Sequence, residues 1–340
     1  MNAAVLEAIG SPLAIREVPT PTPTSREILV RIEASGVCNA DVYAAAGKYP
    51  PAATPVVPRI PGHRGVGTVE VVGAGVTRVR EGDRVGIPLV VGSCGECEAC
   101  FQGLERLCSS AQFSGFQVDG CHAQYVKADA RYVGLIPHDL AWGTAAQLTC
   151  TGITAVGALK QAEVRAGQWC AVFGLGAVGE TVVALANASG LRVVAITSVE
   201  EAGELALRSG AEIVIHTASS DPVSYIRSHI GYVHAAIVTS IRVEPFQQAF
   251  KCLRSGGTLV AVGLELGEIP IPIFPLVMKQ VNVRGSFVGN RSDLQDAYAM
   301  AVLHDIELRT ENQPLEAVNE VYARILEGTS SARTLLRPSS

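Results

Sequence analysis

The spacing of apolar positions changes character near Thr154. Before it, hydrophobic residues come in short runs that alternate with polar ones and stop at Gly or Pro. EILVRIEASGV (27–37), GVGTVEVVG (65–73) and HAQYVKA (122–128) are of this kind, and they predict short strands of a mixed or antiparallel β domain. After it, strand-like and helix-like periods take turns. WCAVFG (169–174) reads as a strand and AVGETVVALANASG (177–190) as a helix with apolar residues at helical spacing. RVVAIT (192–197) reads as a strand and EEAGELALRSG (200–210) as a helix. EIVIHT, AAIVTSI, TLVAVGL and NVRGSFVG complete about six strands. Such alternation predicts an α/β fold with a parallel sheet covered on both faces. From Asn290 onward, DLQDAYAMAVLHD reads as a helix and ARTLLR as a closing strand. This tail is expected to return to the first domain.

Composition narrows the classes. A chain of 340 residues that is 48% hydrophobic can bury a large core, and more than one domain is the expectation at this length. A formal net charge of −5 without blocks of like charge disfavours nucleic acid and anionic membrane surfaces as partners. No apolar run reaches the roughly 18 residues of a membrane helix. The start, MNAAVLEAIGSPLAIREVP, reads as a strand and not as a secretory signal, so a cytoplasmic location is expected. Nine cysteines, four of them between 94 and 108, favour metal over disulfides in such a compartment.

Residues 174–179 read GLGAVG between an expected strand and an expected helix. Gly174, Gly176 and Gly179, with Ala177 and Val178, form a turn that lets backbone approach a pyrophosphate at a helix N-terminus. The second strand then ends on Thr197 and Ser198, where an acid would hold the ribose hydroxyls of NAD. Small hydroxyls leave room for a 2′-phosphate, but Glu200 and Glu201 follow, so NADP is favoured over NAD by a small margin.

SCGECEACFQGLERLC places Cys94, Cys97, Cys100 and Cys108 at gaps of two, two and seven residues. Four thiolates close a tetrahedral zinc shell with no open position, the mark of a structural site. An iron–sulfur cluster also takes four cysteines, but these gaps match no ferredoxin spacing.

Together these segments resemble the zinc-containing alcohol dehydrogenases of the medium-chain dehydrogenase/reductase family, nearest to bacterial primary-alcohol and propanol-preferring members. The resemblance covers nearly the whole chain. It rests on GVC (36–38), PGH (61–63), the four-cysteine lobe, LTCTGITA (148–155), GLGAVG, GSFVGNRSDL (285–294) and PLEAVNEVY (314–322). It implies a GroES-like catalytic domain over 1–153, joined by 290–340, and a Rossmann dinucleotide-binding domain over 154–289. It also implies a second, catalytic zinc held by Cys38, His63 and Cys150. Two thiolates and one imidazole leave a fourth position for water or substrate. Asp41 matches the carboxylate that orients the ligand histidine. Val238, Val262, Ser286, Val288 and Arg333 align with cofactor-lining segments. The family further suggests a homodimer or homotetramer, through strands around IPIPIF (269–274) and NVRGSF (282–287).

Several positions depart from the family pattern. The serine or threonine that contacts the substrate oxygen and starts a proton relay is Ala40 here, and the histidine that commonly ends the relay is Tyr43. The frequent basic contact to pyrophosphate is Asn39. Leu89 and Tyr49 stand where ethanol-active relatives often carry tryptophan, which argues for a larger substrate. Cys121 and His122 replace small or aromatic residues; they either reach the pocket or pack.

The glutamate after the zinc histidine is Arg64. Zinc, two thiolates and neutral His63 sum to zero; Asp41 brings the total to −1, and an inward Arg64 returns it to 0. At an effective dielectric near 20, one pair of charges about 4 Å apart is worth about 4 kcal/mol. An inward Arg64 must pair with Asp41 or with a substrate carboxylate or phosphate. The alternative is an Arg64 that faces solvent or pairs with a structural acid.

The expected activity is zinc-dependent, NAD(P)-linked interconversion of an alcohol and an aldehyde or ketone bulkier than ethanol, with Tyr43 or solvent replacing the relay. One alternative is NADPH-dependent reduction of an activated C=C or C=N bond, which needs no relay hydroxyl. The other is a non-catalytic cofactor-binding paralogue, against which the intact ligand set argues.

Overall fold

A computed structural model describes residues 1–329 and 333–338. The chain divides into two compact units. The first comprises 1–150, 290–302 and 307–340, and the second 151–289 with 303–306.

The first unit is built on a mixed seven-stranded sheet. Its path runs Glu311–Pro314, Thr334–Arg337, Glu27–Gly36, Gly65–Val72, Arg84–Ile87 and Gly134–Leu135, with Tyr125–Asp129 also pairing along Glu27–Gly36. All pairings are antiparallel except that of Glu311–Pro314 with Thr334–Arg337. The tail therefore returns to this unit. Of the expected closing strand 332–337, Ala332 lies outside the described residues. Ile28, Val30, Ile32, Val69, Val85 and Val126 form a core between the strands. Two helices bear on the site: α1 (Asn39–Ala45) follows the central strand, and α2 (Trp142–Gln147) runs into a widened π turn at Leu148–Gly152. Such single π turns gather at functional positions.

The second unit opens with α3 (Ile153–Ala162) and holds a six-stranded sheet. Its strands are β1 (Trp169–Phe173), β2 (Arg192–Thr197), β3 (Ile213–His216), β4 (Val233–Val238), β5 (Leu253–Ala261) and β6 (Asn282–Gly285). The spatial order is 3-2-1-4-5-6 and every pairing is parallel, the doubly wound arrangement expected from alternating strands and helices. Strands buried on both faces read as continuous apolar runs. CAVF of β1 and VVAI of β2 do so, and Phe173, Val194, Ile196 and Ile237 are all buried. Helices α4 (Ala177–Ala188) and α5 (Glu200–Arg208) follow β1 and β2.

One expectation fails. IPIPIF carries no strand; Ile273 and Phe274 open helix α6 (Ile273–Lys279) instead. Pro272 caps that helix and Pro275 falls in its first turn, where a missing N–H leaves no bond unmade, so alternation of Ile and Pro was a poor guide. The strand expected over 282–289 also stops at Gly285. Helix α7 (Arg291–Leu303) opens the segment that begins at Asn290. Among the described residues no helix is long and apolar enough to cross a membrane.

Candidate active site

Antiparallel pairing brings the first two ligand segments together. Ser35, near the end of the central strand, pairs with Gly65 at the start of the next, and the Gly36 N–H donates to the Arg64 carbonyl at 2.9 Å. Val37–Cys38 and His63–Arg64 therefore lie side by side, although 25 residues separate the cysteine from the histidine. Cys38 caps α1, and the π turn after α2 supplies Cys150. The donor atoms of Cys38, His63 and Cys150 all lie within 4.8 Å of one another.

The histidine's two nitrogens have separate duties. Nδ1 is 2.7 Å from Asp41 Oδ1, and Nε2 is 3.3 Å from Cys150 Sγ. Asp41 also accepts the Cys38 backbone N–H at 3.3 Å, which ties it to two ligand segments at once. Burial opposes charge on His63, but Asp41, Cys150 and Cys38 outweigh it and hold its pKa well above the usual imidazole range. Burial likewise raises Asp41, yet His63 overrides it and keeps the carboxyl low. The Cys38 thiol is lowered by a hydrogen bond from Cys150, then by the charges of His63 and Arg64. Two soft sulfurs and an imidazole whose far nitrogen is fixed by a carboxylate are a zinc donor set.

Arg64 does not face solvent. It is the largest fully buried side chain among the described residues, with 0% exposure. Its Nη1 donates to Gln147 Oε1 at 2.8 Å and its Nη2 to the Val37 carbonyl. Of the two alternatives the solvent-facing one fails, and the inward arginine is held by an amide and a backbone carbonyl that neither alternative named. Gly36 leaves the room: a Cβ there would meet Arg64 Nε at 2.5 Å and Cδ at 2.8 Å.

Around this centre, Phe116 lies with its ring centroid 6.4 Å from that of His63. Tyr43 and Tyr49 meet edge to face at 6.1 Å, with the Lys48 ammonium 5.2 Å from the Tyr43 ring centroid. Burial, followed by the charge of Cys38, pushes Tyr49 up to about 12. Ala40 and Asn39 stand in the first turn of α1, and Asn39 Oδ1 is buried without a hydrogen-bond partner. Cys121 and His122 pack: both are fully buried, and His122 Nδ1 lies 2.7 Å from Ser35 Oγ. Gln147, Gly36 and Phe116 escaped the sequence reading because their roles depend on contacts across distant segments.

The four-cysteine lobe is equally well formed. Zn–S bonds of about 2.3 Å at tetrahedral angles separate sulfurs by about 3.8 Å. Here Cys108–Cys94, Cys97–Cys100 and Cys94–Cys100 are 3.5, 3.6 and 3.9 Å apart. Backbone N–H groups of Glu96 and Cys97 lower Cys94 to about 6.

In the second unit, Gly174 follows the last residue of β1 with φ of +91°, and a Cβ there would meet Ser240 N at 2.9 Å. At Gly179 a Cβ would strike the Gly174 carbonyl at 2.0 Å, so the helix packs closely on the strand. Gly176 has open space before it, with Ala177 and Val178 starting α4. At the end of β2, Thr197 Oγ1 accepts the Val199 N–H at 3.1 Å, while Ser198 is exposed. Pairing of β2 with β3 sets His216 beside them, 3.5 Å from Glu200. Val238 ends β4, and Val262 N–H donates to its carbonyl at 2.9 Å; Ser286 N–H donates to Ala261 at 2.8 Å. Val288, at φ +42°, lays its carbonyl over Gly157. Arg333 belongs to the first unit, its carbonyl accepting the Glu311 N–H.

Two family descriptions match the chain: an alcohol dehydrogenase GroES-like domain over residues 24–138 and a zinc-binding dehydrogenase domain over 177–302. The chain belongs to the zinc-containing alcohol dehydrogenase family. An alcohol dehydrogenase of Geobacillus stearothermophilus is 43% identical over 337 residues, covering 99% of both chains. One of Moraxella sp. is 40% identical over 336 residues, again covering 99% of both. The crystal structure of the Aeropyrum pernix alcohol dehydrogenase has a TM-score of 0.89 at 29% identity, covering 99% of this chain and 100% of that one. That of AibC has a TM-score of 0.92 at 30% identity, covering 100% and 96%.

Proposed function

We propose that this zinc-dependent, NAD(P)-linked oxidoreductase interconverts alcohols and aldehydes or ketones bulkier than ethanol. The observation that carries the reading is the convergence of Cys38, His63 and Cys150, with Asp41 behind His63. Zinc held there supplies a Lewis acid for the substrate oxygen, and the nicotinamide carries the hydride. The protein's own part is to orient and to insulate. Asp41 fixes the imidazole tautomer so that Nε2 faces the two sulfurs. The phenol of Tyr49, at about 12, stays protonated at neutral pH and presents a neutral wall. Leu89 and Phe116 are partly buried and offer apolar surface to a larger substrate. Ala40 carries no proton, so Tyr43 or solvent takes that duty.

The cysteine lobe takes a second, structural zinc. NADP is preferred over NAD by a small margin. Ser198 is open to a 2′-phosphate and His216 draws the Glu200 carboxylate toward itself, while Glu201 opposes the extra charge. The molecule assembles as a homodimer or homotetramer. Ile273, Phe274, Val277 and Met278 on α6 are 63–77% exposed, in the segment that leads into the edge strand β6. Light scattering that finds only monomer contradicts that assembly.

The test is turnover with NADPH and with NADH on a panel of aldehydes, ketones and enals. Carbonyl reduction that improves from acetaldehyde to bulkier aldehydes is expected. Reduction of enals at C=C alone would replace this reading with the C=C reductase. No turnover by fully zinc-loaded protein would replace it with a cofactor-binding protein.

A further inference from the structure

Arg64 touches the segment of each of the three ligands. It follows His63 directly. Its Nη2 donates to the carbonyl of Val37, the residue before Cys38. Its Nη1 donates at 2.8 Å to Gln147, three residues before Cys150 on the helix that leads into the π turn. The planar guanidinium presents donors in a rigid fork, which no single ammonium can reproduce.

We propose that Arg64 is a positioning residue that clamps the three ligand-bearing segments together and so sets the spacing of Cys38, His63 and Cys150. The proposal rests on reading those three residues as the catalytic zinc site. Cys150 lies in the π turn into which this helix runs. Holding Gln147, three residues earlier, to the backbone beside Cys38 ties that helix to the first ligand segment. Gly36 belongs to the same device, because any side chain there would push the arginine stem aside. Without the clamp, the two thiolates and the imidazole must be brought to tetrahedral spacing by the metal itself. Affinity then falls and the site's geometry broadens.

The test compares full-length, zinc-loaded wild type with Arg64→Met, Arg64→Lys and Gly36→Ala. Zinc content of the wild type comes first: fewer than two ions per chain removes the zinc reading itself and leaves the clamp without an object. With two ions present, release to a chelator separates the sites, and the cysteine lobe serves as an internal control of folding. Arg64→Met is expected to release one zinc at least about tenfold faster, with the other unchanged. The visible spectrum of the cobalt-substituted catalytic site is expected to shift and broaden. Arg64→Lys, which keeps the charge and loses the fork, should fall between. If Arg64→Met fails to fold, Gly36→Ala carries the test, with the same expected acceleration. Unchanged release and a superimposable cobalt spectrum in whichever variant folds overturn the proposal. Full rescue by Arg64→Lys would also overturn it, since charge alone would then suffice.

Discussion

His122 offers a quantitative check on the interior next to the metal centre. It is fully buried, its Nδ1 meets Ser35 Oγ at 2.7 Å, and its Nε2 has no hydrogen-bond partner. The Tyr322 ring stands edge-on at 6.1 Å. Burial lowers its pKa to about 4; Asp41 pulls the other way, and His63 and Arg64 add to the lowering. An unfolded chain releases this imidazole to its ordinary value near 6.5. As pH falls below that value, the unfolded chain binds a proton that the folded one refuses. The contribution is therefore fully present above about pH 6.5, declines as pH falls, and stops declining below about pH 4. Between about pH 7.5 and 5.5 the loss from this one group is about 1.4 kcal/mol. The perturbation is His122→Asn, which keeps a partner for Ser35 and removes the titration. Trp142 and Trp169 are the only tryptophans, one in each unit. A Trp169→Phe background thus makes fluorescence in urea report on the first unit alone. With zinc in excess, the stability gap between the parent and its His122→Asn variant should narrow or reverse by about 1.4 kcal/mol over that pH interval. Parallel pH curves would show that His122 is not held neutral, and the burial argument would be wrong.

Three further outcomes are expected. Asp41→Asn should weaken zinc at the catalytic site by about 10- to 100-fold, read by competition with a chromogenic chelator, because the His63 tautomer loses its anchor. Cys108→Ser should leave one zinc per chain by elemental analysis and should increase amide exchange within residues 93–113; retention of both ions would contradict a four-sulfur shell. Ala40→Thr should raise the rate of alcohol oxidation if proton removal limits it, and an unchanged rate would show that Tyr43 or solvent already suffices.

Periodicity made the second unit legible, because strands buried on both faces and helices with apolar stripes leave different signatures. The strand order 3-2-1-4-5-6 was not read from the sequence, because alternation predicts a parallel sheet without ordering its strands. The four-cysteine lobe was equally legible, since its ligands are local in sequence. The catalytic ligands were not readable from spacing, for Cys38, His63 and Cys150 come from three segments that meet only through sheet pairing and a π turn; resemblance to a family supplied them. Where the chain departs from that family, the sequence could not say what replaces the lost pattern. The direction of Arg64 turned on a glycine at 36, read only as the start of GVC, and on an amide at 147 that lies in no motif. His216 near Thr197 was hidden because β2–β3 pairing, and not sequence distance, brings it there. The helix at 273–279 was missed because IPIPIF was read as a strand, although Pro272 and Pro275 are compatible with a helix start.

The most direct measurement is anomalous scattering at the zinc edge from crystals of freshly purified, unchelated protein. Two peaks per chain are expected, one among Cys94, Cys97, Cys100 and Cys108 and one bounded by Cys38, His63 and Cys150. A peak at the cysteine lobe alone, with Cys38, His63 and Cys150 spread apart, would contradict the account.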